Sequence, residues 1–217
     1  HDGMRYIEEA ISQDPIDGRK YMLRCAGRLN QGDIAAAISD GQRAVDLGFP
    51  SIHLAVASAA AGRHEAAVDQ YQQTRLLLNK SIFPPVGTAP MAPEVMDAYW
   101  LVAAKGVCSG VAEDREAYCR TLDFLHLTMY DNADSSITLP AVFMGYADLL
   151  FRTLGERISP ANMGCLMSIW ADVDPIRQIW QHPEFIPFAQ RIGMAAALPR
   201  ADIVYRRFSI ESRVSAP

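Results

Sequence analysis

Between Gly18 and Asn79 the same punctuation occurs twice, and it limits what the chain can fold into. Gly32-Asp33 is followed by Ala37, Gly41 and Ala44, with an end at Leu47-Gly48-Phe49-Pro50. Gly62-Arg63 is followed by Ala67, Tyr71 and Thr74, ahead of Leu76-Leu77-Leu78. Counted from each glycine, small or aromatic residues fall at offsets 5, 9 and 12. Those offsets lie on one stripe of an α-helix, and small side chains there let a second helix approach closely. This predicts two successive helix pairs, with Ala37, Ala44 and Ala67 in the seams between neighbouring rods.

The remaining stretches are helical too. Tyr6, Ile7, Ala10 and Ile11 recur at helical spacing from Met4 to Gln13, and Asp14-Pro15 ends the run. Asp17 is an N-cap for a helix reaching Asn30, Ile34 opens the next to Leu47, and Pro50-Ser51 opens a short one to Ala61. A further helix is expected from His64 to Asn79. Phe83 to Pro93 carries four prolines and forbids a helix, so it is a connecting loop. Helices resume over 93–107 and 112–130, Asp131–Ser136 is a polar turn, and Leu139-Pro140 begins a helix continuing to Leu154. Ser159-Pro160 opens another, carrying Met163, Leu166, Met167 and Trp170. Two short helices follow between Asp174 and Gly193, split at Pro183, with a weaker segment after Pro199. No alternating strand pattern occurs, so the expected class is all-α. The expected organisation is helix pairs over 4–82, a proline-rich connection over 83–93, and a more irregular helical half over 94–208 packed on the first.

Half of the 217 residues are apolar and 21% are charged, which fits a chain with a real core. A net charge of −5 and scattered Lys and Arg argue against direct nucleic-acid contact, because phosphate binding needs clustered cations. No apolar run approaches the ~20 residues that span a bilayer. Cys25, Cys108, Cys119 and Cys165 form no Cys-x-x-Cys or zinc-spaced set. Cys108 and Cys119 could meet if their helices pack antiparallel, so a bridge there stays open. Free thiols acting as small buried groups fit a reducing compartment better, which favours the cytoplasm and leaves the periplasm open.

Chemistry-bearing residues are dispersed. The histidines (His1, His53, His64, His126, His182) are isolated, with His64 expected at an exposed turn and His126 in the core. Ser58 and Ser109 lack a nucleophile-elbow context, and Gly106-x-x-x-Gly110 lacks the Lys-Ser/Thr of a phosphate loop. Glu113-Asp114 suits the first turn of a helix without further purpose. Trp100, Trp170 and Trp180 read as core residues, with Trp180 the one whose face could stay open. Neither catalysis, a cofactor nor a metal is expected.

Gly32, Asp33, Ala37, Ala44, Leu47 and Pro50, then Leu54, Ala55, Gly62, Ala67 and Tyr71, resemble the tetratricopeptide repeat. Met4–Pro15 looks like the second helix of a preceding unit. The glycines stand at positions 32 and 62, closer than the family's repeat of about 34 residues, and Arg24 and Arg28 replace its usual apolar and aromatic residues. Asp174-Pro175-Ile176-Arg177, His182-Pro183-Glu184-Phe185 and Phe188 through Gly193 are similar to the closing segment of repeat regions in bacterial winged-helix transcriptional regulators and nucleotide cyclases. The resemblance implies a tetratricopeptide-like α-solenoid of antiparallel helix pairs. It further implies the C-terminal regulatory part of a signalling or transcription-regulating protein, with an output domain upstream of His1.

In the groove positions of that family the chain offers Arg19, Met22, Ala26, Leu29 and Asn30, then Ile52, Val56 and Ala59. Arg24 and Arg28, one turn apart, could read a carboxylate bidentately or be a solvated face. The expected function is therefore non-catalytic binding of a protein or peptide, with self-association possible. A stand-alone adaptor or chaperone-like protein and a small-ligand sensor are the alternatives. The apolar second segment also allows the chain's own C-terminal half to fill the groove.

Overall fold

Three helix starts follow from the side chain that precedes them. Asp17 Oδ1 accepts from the Arg19 amide at 3.0 Å, Asp33 Oδ1 from Ala36 at 3.1 Å, and Ser51 Oγ from His53 at 3.2 Å. Each satisfies an amide that a helix start leaves without an internal partner. They open α2 (Gly18–Leu29), α3 (Ile34–Asp46) and α4 (Ile52–Ala60), which lie between α1 (Asp2–Gln13) and α5 (His64–Gln73). The structure is a computed structural model and describes residues 2–75, 92–128, 134–154 and 163–193. Its second half contains α6 (Pro93–Cys108), α7 (Ala112–Thr128), α8 (Asp134–Phe143) and α9 (Ala147–Leu154). The short helices α10 (Met163–Ser168), α11 (Asp174–Trp180) and α12 (Phe185–Arg191) follow. No strand occurs among the described residues, so the class is all-α as expected.

The turns repeat as well. Gly32 and Gly62 have φ of 73° and 74°, where a side chain would be strained. The amides after them reach back to Arg28 O at 3.0 Å and Ser58 O at 2.9 Å, closing the preceding helix in a Schellman cap. The same bond, Tyr146 N to Ala141 O at 2.8 Å, closes α8 at Gly145.

That third cap corrects an expectation. Residues 139–154 do not form one helix: α8 begins earlier, at Asp134, contains Pro140, and ends before Gly145, after which α9 starts. Asp134–Ser136 therefore belongs to a helix and not to the polar turn expected there. A Cβ on Gly145 would lie 1.8 Å from Pro175 O, so the break lets α11 approach the backbone. The proline-rich connection over 83–91, the helix extension to Asn79, the Ser159-Pro160 start and the segment after Pro199 lie outside the described residues.

α2 packs on α3, α4 on α5, α6 on α7 and α8 on α9. α2 also touches α4, α4 touches α6, and α6 touches α8, while α10 and α11 pack on α8. The small-residue stripe sits in the seams: Ala37, Ala44 and Ala67 are wholly buried, with Tyr71 and Thr74 beside them. A Cβ on Gly41 would come 2.7 Å from Leu54 Cβ, so α3 and α4 meet almost backbone to backbone. One core runs from Cys25 and Leu29 through Tyr71, Trp100 and Tyr118 to Phe185 and Phe188. A smaller one joins Ile11, Tyr21 and Ala44. All four cysteines are free, and burial pushes the Cys25, Cys108 and Cys165 thiols up to about 12, so they stay protonated apolar groups. Among the described residues no helix is long and apolar enough to cross a membrane.

Candidate functional site

Of the residues expected to face a partner, Ala26, Leu29, Ile52 and Val56 are buried. The chain's own C-terminal half accounts for much of this. The Asp172 amide donates to Leu29 O at 2.9 Å, and Asn30 Nδ2 donates to Met167 O at 3.2 Å. One helix further on, Ser168 Oγ lies 3.2 Å from His53 Nε2. An apolar stripe on α2 and α4 left in water would be unfavourable, and the segment through α10 covers it. Met22 packs against the smaller core.

The arginines are engaged within the chain too. Arg24 meets Asp40 of α3 in a two-pronged contact, Nε to Oδ2 at 2.9 Å and Nη2 to Oδ1 at 2.6 Å. That hydrogen-bonded pairing holds the guanidinium charged, raising its pKa. Arg28 Nη2 lies 3.5 Å from Glu8 Oε1 on α1. Arg19 is exposed and turned onto its own helix cap, Nε to Asp17 Oδ1 at 3.0 Å. The pair Arg24/Arg28 thus ties α2 to its two neighbours.

The open surface lies at the turns. The ends of α4, α6 and α8 meet the start of α11 around a cleft of about 420 Å³. A wider cleft of about 750 Å³ runs on between α7 and the α8–α9 turn. The two share Val107, Gly110, Phe143 and Pro175, so they adjoin along the turn edge and together are called the trough. Its narrow end has apolar walls, among them Ile34, Val56, Ala59 and Val107, and a polar group at the mouth. There Arg177 Nε binds Asp172 Oδ1 at 2.8 Å, and Nη1 binds Asp174 Oδ1 at 2.5 Å. Across from them His64 Nδ1 is 2.8 Å from Cys108 O; a carbonyl only accepts, so this nitrogen carries the proton.

The wide end is lined by one face of α7, on which Arg115, Glu116, Cys119, Arg120 and Asp123 fall at helical spacing. Arg115 Nη2 donates to Gln178 Oε1 at 3.2 Å, and Arg120 stands 4.0 Å from Glu116. Asp123 accepts from the Tyr146 hydroxyl at 2.9 Å and from Arg152 at 3.0 Å. Burial, then the Asp123 carboxylate, pushes the Tyr146 phenol up to about 12, so it acts only as a neutral donor. Cys119 is half-buried, and burial is the main cause of its raised pKa. The whole trough is a mixed-charge surface with apolar stretches.

Other expectations resolve individually. Trp180 is buried, with Nε1 donating to Ile169 O at 2.6 Å, so its face is closed. Trp100 is buried as well, and Trp170 packs edge-on against Phe185. His126 Nδ1 is 3.3 Å from the Thr153 hydroxyl. No group of three or more His, Cys, Asp or Glu placed to hold a metal occurs among the described residues. Sequence reading missed Gly110 and Gly145 as turn glycines, although Gly145-Tyr146-Ala147 opens a helix much as Gly32-Asp33-Ile34 does. Asp174 and Arg177, by contrast, belong to the tail motif that stood out in the sequence. No protein-family model, curated protein or solved structure matches the chain.

Proposed function

We propose that this chain is a non-catalytic, tetratricopeptide-like binding module that holds a segment of a partner protein in the trough at its turn edge. The observation that carries the reading is the order of contacts: α2, α4, α6 and α8 touch in succession, and each is backed by the helix that follows it. Stacked α-hairpins in this order build extended surfaces suited to peptides. The trough is a broad concave opening among the described residues, about 420 Å³ at its narrow end and about 750 Å³ at its wide end. In this proposal the module serves as the sensory or interaction part of a bacterial signalling or transcription-regulating protein, which the Asp174–Gly193 motif suggests. A stand-alone adaptor is the alternative. The size of the narrow cleft favours one further reading, a sensor for a small ligand, since about 300–1,000 Å³ suits a small molecule.

Selection of peptides from a random displayed library against the folded chain tests this. Val111 lines the wide end and is exposed, so Val111→Arg should leave the fold intact and weaken selected peptides at least about tenfold. Arg19→Glu, on exposed α2 surface, should leave them unchanged. Selected peptides that tolerate Val111→Arg and lose affinity on Arg19→Glu would move the site to the α2 face and overturn the proposal.

A further inference from the structure

We infer that the narrow end of the trough is a seat for a lysine side chain of the bound segment: an ammonium group on an unbranched apolar stem. The inference rests on the trough being the binding surface.

The walls supply the stem's environment. Val56, Ala59, Val107 and Phe143 line the cleft, so methylene groups entering it exchange water for apolar contact. The mouth supplies the charge. Its ionic side chains among the described lining residues are Asp172, Asp174 and Arg177, two carboxylates to one guanidinium. Arg177 is shared between both acids, which leaves one net negative charge. Asp174 is 89% exposed, so its carboxylate can turn to an incoming cation while the Asp172–Arg177 contact stays in place. His64 adds an acceptor: with Nδ1–H committed to Cys108 O, the neutral ring keeps a lone pair on Nε2.

These groups distinguish among occupants. An acidic side chain would meet two carboxylates, and a neutral one would leave the net charge uncompensated. A guanidinium needs coplanar oxygens in a fork, and here both acids already engage the Arg177 fork in separate directions. An ammonium is a compact charge with three rotatable donors, which suits acceptors scattered around a mouth.

Titration of the ¹⁵N-labelled full chain with Nα-acetyl-lysine amide tests the seat, with Nα,Nε-diacetyl-lysine amide as neutral control and Nα-acetyl-glutamate amide as acidic control. Saturable shifts at the Ala60, Val107 and Gly110 amides are expected with the charged probe. Binding should be about tenfold weaker for the neutral control and for the Asp174→Asn protein. Equal shifts with the charged and neutral probes, larger shifts with the acidic one, or none at these residues with the charged probe would each overturn the lysine seat. Library peptides separate this from the broader proposal. If their affinity is lost on Val111→Arg yet survives replacement of every lysine by alanine, the seat is wrong and the trough stands. If Val111→Arg has no effect, the trough itself is wrong.

Discussion

The apolar stripe of α2 and α4 and the trough at the turn edge meet along α4, yet one is closed and the other open. On the stripe, Leu29 and Ile52 are buried, and the chain's own 167–172 segment bonds beside them, to Leu29 O, Asn30 and His53. At the edge, charged side chains from α7 and α11 stand among small apolar residues, and the Arg120–Glu116 and Arg152–Asp123 pairs are exposed. An apolar surface gains from being covered by anything nearby, including the same chain, whereas a solvated mixed-charge surface gains little. The difference teaches that an apolar helix face legible in the sequence need not be the free surface of the fold.

If that contrast is right, substitutions should separate into costly and nearly silent ones. Leu29→Ala, at a fully buried position under the Asp172 segment, should lower stability by about 3 kcal/mol in urea denaturation followed by tryptophan emission. A loss below about 1 kcal/mol would mean that the C-terminal segment does not seal the stripe. Arg24→Ala should cost about 2 kcal/mol, because Asp40, only 7% exposed, loses a two-pronged partner. Removing both side chains should recover part of that loss, and a strictly additive double variant would argue against coupling.

His53 gives a pH-dependent version of the same contrast. Burial lowers its imidazole from 6.5 to about 4, so the unfolded chain takes up a proton that the native state refuses. The His53 contribution to stability is fully present above pH 6.5 and is lost as pH drops through the window from 6.5 to 4, by on the order of 2 kcal/mol. His53→Gln should flatten this slope; parallel profiles for the two proteins would remove His53 as its cause. The smallest effect belongs to the edge: Arg120→Ala, in an exposed pair with Glu116, should change stability by no more than about 0.5 kcal/mol.

Much of the helical order was legible because it is written locally. Asp17, Asp33 and Ser51 cap the helices that a reader of the sequence would give them, and the offset stripe through Ala37, Ala44 and Ala67 is buried as its spacing predicts. The break at Gly145 was missed because Pro140 looked like a helix start; α8 instead carries it internally and stops at a glycine whose partner is Pro175. The trough was not legible at all. It joins Ala59, Val107, Phe143 and Asp174, residues from four separate segments, and no one-dimensional period connects them. Trp180 is in the core, as its main reading had it; what closes the face left open there is the Ile169 carbonyl, ahead of the helix that carries it.

The hydrogen bond from Asn30 to Met167 spans 137 positions of chain, and the Asp172 amide bonds the neighbouring Leu29 carbonyl. An open string of repeats can zip from any point and fray from either tip, because each link depends only on the next. Here the first links are latched to a late one, which raises contact order and slows folding relative to a helical string of equal length. A nascent α2–α3 hairpin reaches its final surroundings only after residue 172 has been delivered, and at equilibrium the two tips should melt together.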